Sequence, residues 1–378
     1  MPSITLSIRQ LPLNNGRYPI RLTLRHPGQP DMEADIDFAL TAQEQEDLRW
    51  YMEDYLAQAE SVEALVVEQI EAMMKTRGEK LYSQVLAANQ NTQAIWFGIR
   101  NQLDELRIEI ASGIIEAASI PWELMRDPQS GSAIALRVKA FVRVQSNPNI
   151  GFVAVPPNED GRIRLLYVVC RLDGAADVQL RAIANRLLQE LGKAGKRDYF
   201  EITALRPPTY EQLQIELSDA KQQGRPYHIV HFDGHGVYAD LSKTTLADWA
   251  GLFSNLMLGG KTTGKHGYLL FENPKQAENM RSVSGDEFGK LLRDTGVPVL
   301  ILNACQTAMH ETQEKPEQAE TVHDEIRVIG SLAQAVVDQG IPAVLGMRYS
   351  VFVVTAAQYI GELYAALAKG RGFGQAAG

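Results

Sequence analysis

Two short stretches carry side chains that can do chemistry together. They are "YHIVHFDGHGVYAD" (Tyr227 to Asp240) and "VLILNACQTA", which contains Cys305. The first holds three of the chain's seven histidines, His228, His231 and His235. A cysteine attacks as its thiolate, and a neighbouring imidazole can take the thiol proton and later protonate a leaving amine. Each stretch begins with an apolar run that reads as a buried strand. If the two strands are neighbours, His235 and Cys305 face one cleft as base and nucleophile. Gly234 and Gly236 are expected to turn the backbone sharply, hold His235 proud of the sheet and leave room for a substrate chain. The N–H groups of Gly236 and Cys305 would then form an oxyanion hole.

Each signal has a plainer reading. A histidine in a glycine-rich turn is often just a turn residue, and a cysteine ending an apolar strand is more often an inert core thiol. Asp233 can stabilise the turn, orient His235 or bind substrate backbone. His231 and His235 have the H-x-x-x-H spacing of zinc ligands on a helix, but these follow a strand, so helical geometry does not apply. No metal and no cofactor are expected, and a metal-dependent hydrolase using His231, His235 and Cys305 stands as a third reading. Cys170, inside an apolar strand, reads as core. No G-x-x-x-x-G-K-[ST] phosphate loop occurs.

The elements that must position these residues follow from periodicity. "ITLSIRQL", "YPIRLTLRH" and "MEADIDFAL" alternate polar and apolar residues, as half-buried antiparallel strands do. Thr41 and Glu44 form a capping-box pattern before "LRWYMEDYL". A small sheet followed by helices is expected over 1–85. Beyond it, "IRLLYVVC", "YHIVHF", "GYLLFE", "VPVLILNAC" and "IPAVLGM" read as buried strands, interleaved with helical spacing at 180–191, 288–292, 329–337 and 356–367. Ser284 and Glu287 cap one of these helices, and Gly340 closes another. Repeated βα units predict a mainly parallel sheet with helices on both faces, binding ligands beyond the carboxyl ends of its strands. Both chemical stretches lie at such ends.

Composition bounds the rest. The 378 residues carry a net charge of −9 without a basic stripe, which argues against nucleic acid as partner. No apolar run reaches the length of a membrane span, so no membrane partner is expected. "MPSITLSIRQ" lacks the pattern of a signal peptide, and two cysteines are few, which together point to a reducing cytoplasm.

The ordered set "IPWELMRDP", "ALRVKAFVR", "HIVHFDGHG", "GYLLFENP", "VSGDEFGKLL", "VLILNACQTA" and "SLAQAVVDQGIPAVLGM" resembles the CHAT domain, a branch of the caspase, separase and metacaspase peptidases. The resemblance covers roughly 86–378 and implies an α/β, caspase-like three-layer sandwich. It implies His235 as base and Cys305 as nucleophile. It also implies that Asn303, two before the cysteine, helps line the pocket for the P1 side chain. Relatives with an acidic residue there suit a basic P1, whereas Asn303 is neutral. The family's aspartate after the last core strand aligns near Val353. Arg348 lies close by and favours an acidic or polar P1, with a hydrophobic P1 equally open. The chain ends at "GRGFGQAAG", where relatives continue into one more helix, as a fragment of a longer protein would.

The expected function is a cysteine endopeptidase acting on protein substrates. Activation by a regulatory protein partner, further domains or processing is expected, in a bacterial defence or cell-death setting. The alternative is a catalytically silent interaction module or scaffold. The charged stretch at 309–327 reads as a solvated loop or a self-processing segment. "TTLADWAGLFSNLMLGG" reads as a helix packed over the cleft mouth or as a docking face.

Overall fold

The computed structural model describes residues 4–11, 18–28, 32–38, 64–112, 122–144, 161–172, 188–189, 191–192, 195, 197–240, 265–276, 279–305, 332–346 and 353–377. The Thr41–Glu44 capping box, the 244–260 and 309–327 stretches and Arg348 lie outside these residues. The chain divides into two compact units, Met1–Asn147 with Arg371–Gly378, and Pro148–Gly370.

In the first unit, β1 (Ile4–Gln10), β2 (Tyr18–Arg25) and β3 (Met32–Phe38) form an antiparallel meander. Helices α1 (Ala64–Val85) and α2 (Gln90–Ile99) follow, α2 being started by a reciprocal Asn89–Thr92 capping box. Strand β4 (Leu106–Ser112) then pairs parallel to β1, and β5 (Ala140–Val144) parallel to β4, giving the order β3-β2-β1-β4-β5. Alternation explains the core. Ile4, Leu6 and Ile8 of β1 join Leu22, Ile108 and Ile110 under Leu81, Val85, Trp96 and Ile99 of the helices. Strands β4 and β5 thus complete a sheet begun by the first three strands.

The second unit is built on β6 (Ile163–Val169), β7 (Phe200–Ala204), α3 (Tyr210–Gln222), β8 (Ile229–Asp240), β9 (Lys265–Glu272), β10 (Met280–Ser284), α4 (Gly285–Thr295), β11 (Val299–Cys305), a helical segment at 332–338, β12 (Ala343–Gly346) and α5 (Val353–Ala368). Its seven-stranded sheet is mostly parallel: β7, β6, β8, β11 and β12 run the same way. Strand β6 pairs with β8 only as far as Asp233, and antiparallel β9 takes over that edge from His235 onward. A short helix α6 (Phe373–Ala377) returns to the first unit.

The sheet is covered on both faces, as the three-layer expectation requires. One face carries Leu166, Val168, Cys170, Val230, Phe232, Leu300 and Leu302, packed on Leu213 and Leu217 of α3, Phe288 and Leu292 of α4, and Leu332 and Val336. Each such side chain contributes about 1.5–3 kcal/mol on burial. On the other face Tyr364 of α5 packs against His231 and Phe200. Ser284 caps α4 by accepting from the Glu287 amide, as its sequence pattern predicts, and Gly296 ends it at φ 79°. No helix among the described residues is long and apolar enough to cross a membrane.

The structure differs from expectation at the glycines. Strand β8 does not end at Phe232 but runs unbroken through Gly234-His235-Gly236 to Asp240. The reason is the neighbours: at 235 the strand is paired with β11 on one edge and β9 on the other, and both ladders hold it extended. Gly234 serves close packing instead. A Cβ there would lie 3.0 Å from the Phe232 ring and 3.2 Å from the Cys170 Cβ. His235 is accordingly buried, at 5% exposure, rather than proud of the sheet.

Candidate functional site

The site grows from one ladder. Strands β8 and β11 are adjacent and parallel, in the register Ile301↔His231, Asn303↔Asp233 and Cys305↔His235. Neighbouring strands lie about 4.8 Å apart, so residues 235 and 305 are direct lateral neighbours at the carboxyl end of β11. On its other edge His235 is paired with Leu270 of β9. Gly236 follows in β8 opposite Leu269, one residue beyond the end of the β11 ladder.

Residues 231, 233 and 235 share one face of β8 by the two-residue period of a strand. Asp233 is the hub of that face. Its Oδ1 accepts from Asn303 Nδ2 at 3.0 Å, and its Oδ2 accepts from the Tyr167 hydroxyl at 2.9 Å. Arg171 Nη2 lies 3.3 Å from the same Oδ2, with both side chains only 6% exposed. Arg171 Nη1 donates to the carbonyl oxygens of Cys170 and Asp233, and the Arg171 amide donates to Glu272 Oε1. A carboxylate only accepts, so the Asn303 nitrogen must be the end that faces Asp233. Asn303 itself is half-buried and forms the accessible tip of the network.

Below the hub lies an aromatic layer. His231 is fully buried, shares a 3.1 Å hydrogen bond between Nδ1 and the Tyr364 hydroxyl, and meets Tyr167 edge-on at 4.8 Å. Burial pushes its imidazole down to about 3, so it stays neutral. Burial raises the Tyr167 and Tyr364 hydroxyls well above their usual range, and the Asp233 charge adds to the effect at Tyr167. His228 sits at the strand's start, where its Nδ1 accepts from the Arg164 amide at 3.0 Å.

Cys170 behaves as the core thiol its strand suggested. It is fully buried, its Sγ lies 3.4 Å from the Pro208 carbonyl oxygen, and burial raises its pKa far above the ordinary thiol value. Such a thiol is inert.

The structure thus brings His235, Cys305, Asp233 and Asn303 onto two adjacent strands. Sequence reasoning missed Tyr167, Arg171 and Glu272. Arg171 carried one signal: a charged residue set immediately after the apolar run "LLYVVC", where only a buried counter-charge makes it affordable.

A CHAT domain matches residues 75–377, beginning within α1 and taking in β4, β5 and the whole second unit. No curated protein matches the chain. With a caspase-like, protease-type domain spanning all but its first part, the chain belongs to the CHAT domain family.

Proposed function

We propose that the protein is a cysteine endopeptidase in which His235 activates Cys305. The observation that carries this reading is the β8–β11 register, which makes the two residues lateral partners on adjacent parallel strands. The imidazole takes the thiol proton, and the thiolate attacks a substrate carbonyl. The imidazolium protonates the leaving amine, and water then releases the acyl group from the sulfur. The amides of Gly236 and Cys305 serve as donors to the tetrahedral oxyanion. Asp233 and Asn303 form the wall beside the nucleophile. The substrate is a protein, and a protein partner or processing accelerates a basal cleavage, in a defence or cell-death setting.

The test is a fluorogenic peptide library read with the parent protein and two variants. Cys305→Ala abolishes cleavage while leaving the thermal transition in place, and His235→Ala lowers kcat/KM roughly 100- to 10,000-fold. Cleavage that persists in Cys305→Ala overturns the mechanism. An electrophilic peptide probe separates the enzyme from a silent scaffold, because only an activated thiol is labelled.

A further inference from the structure

Resting on the peptidase reading, we infer that the buried Arg171–Asp233 pair neutralises the floor beside the nucleophile, so that the enzyme cleaves after an uncharged residue. The attacked carbonyl belongs to the residue whose side chain must fit next to position 305. The next residue back on that face of β11 is Asn303, two residues or roughly 7 Å along the strand. Behind Asn303 stands the Asp233 carboxylate. An acidic floor would draw a lysine or arginine side chain. Here that charge is already met: Arg171 lies 3.3 Å away, and Tyr167 and Asn303 donate to the two oxygens. Three internal donors thus occupy most of the carboxylate's roughly four acceptor sites.

Both terminal nitrogens of the cation are committed as well. Arg171 is directed at Asp233 and at the carbonyl oxygens of Cys170 and Asp233, and is buried. It does not reach out to an acidic side chain, which would also meet the Asp233 charge. The accessible group is the Asn303 amide, whose nitrogen faces Asp233 and whose oxygen is left as an acceptor. A charged side chain entering this wall is desolvated without a free counter-charge. An uncharged one, aliphatic or able to donate a single hydrogen bond, is not.

The experiment uses a panel of thiol-directed peptide acyloxymethyl ketones that differ only in the residue before the warhead. Labelling of Cys305 in the whole chain is followed by intact mass and peptide mapping. Probes with Met, Leu, Gln or Asn label roughly tenfold or more faster than those with Lys, Arg, Asp or Glu. Fastest labelling by a charged probe overturns the inference while the labelled Cys305 upholds the peptidase reading. Failure of every probe at Cys305 overturns the peptidase reading and the inference with it. Arg171→Met unmasks Asp233, and the ranking moves toward Lys and Arg by a similar factor. A folded Arg171→Met variant with the parent ranking refutes the inference. If that variant does not fold, Asn303→Asp adds charge at the half-buried tip and must produce the same move toward Lys and Arg; an unchanged ranking there refutes the inference as well.

Discussion

Replacing Asp233 by asparagine tests whether the carboxylate holds the site face together. The side chain keeps its shape but loses its charge, which leaves the Arg171 guanidinium buried at 6% exposure with its partner gone. Breaking one side of a buried pair costs about 3–5 kcal/mol. The new amide has one acceptor oxygen where the carboxylate had two, so either Tyr167 or Asn303 loses its acceptor, at about 1–3 kcal/mol. These terms share atoms and do not add fully, so the expected loss is about 4 kcal/mol. In a unit of 150–250 residues that lowers Tm by roughly 8–16 °C. Thermal unfolding followed by near-ultraviolet circular dichroism reads it directly. Adding Arg171→Met to Asp233→Asn removes the stranded charge and recovers about 2 kcal/mol, since the pair itself is worth little against an apolar replacement. A single Asp233→Asn variant within about 1 kcal/mol of the parent would falsify the hub assignment.

Three further outcomes follow from the same geometry. Under native conditions an alkylating reagent modifies Cys305 alone, while Cys170, fully buried with a raised pKa, reacts only after denaturation; peptide mapping that finds Cys170 labelled in the folded protein contradicts its burial. His231 stays neutral when folded down to about 3 but takes a proton near 6.5 when unfolded. The unfolded state therefore binds more protons between these values, and stability, complete above about 6.5, falls by about 1.4 kcal/mol per pH unit as pH drops toward 3. His231→Phe flattens that limb in urea titrations, and a limb of unchanged slope excludes His231 as its source. Gly234→Ala sets a methyl 3.0 Å from the Phe232 ring and destabilises by about 1–3 kcal/mol, seen as a lower urea midpoint at constant slope; an unmoved midpoint would mean the glycine is not needed for packing.

The strands were legible because their side chains alternate or run apolar, and the caps because Ser284 and Glu287 stand at the right spacing. The meeting of "DGHG" with "NACQT" was legible as a condition, namely that the two strands be neighbours. The rest was not local. Nothing in "DGHG" says that β9 will arrive at His235 and keep the strand extended. Asp233 looked like a turn residue because its three donors come from positions 167, 171 and 303, each far away or on another strand. The parallel pairing of β4 onto β1, and of β5 onto β4, joins segments separated by two helices, which no local pattern announces.

Strand β8 has a consequence for how the molecule opens. Through His235 it is flanked on both edges, by β6 and then β9 along one and by β11 along the other, whereas beyond His235 the β9 ladder continues alone. Deuterium uptake at His235 should then require opening of the sheet itself, with the slowest class of amides in this unit. The imidazole is mounted on the part of the molecule that yields last. In exchange terms His235 is the fixed datum of the site, against which the position of any other group is set.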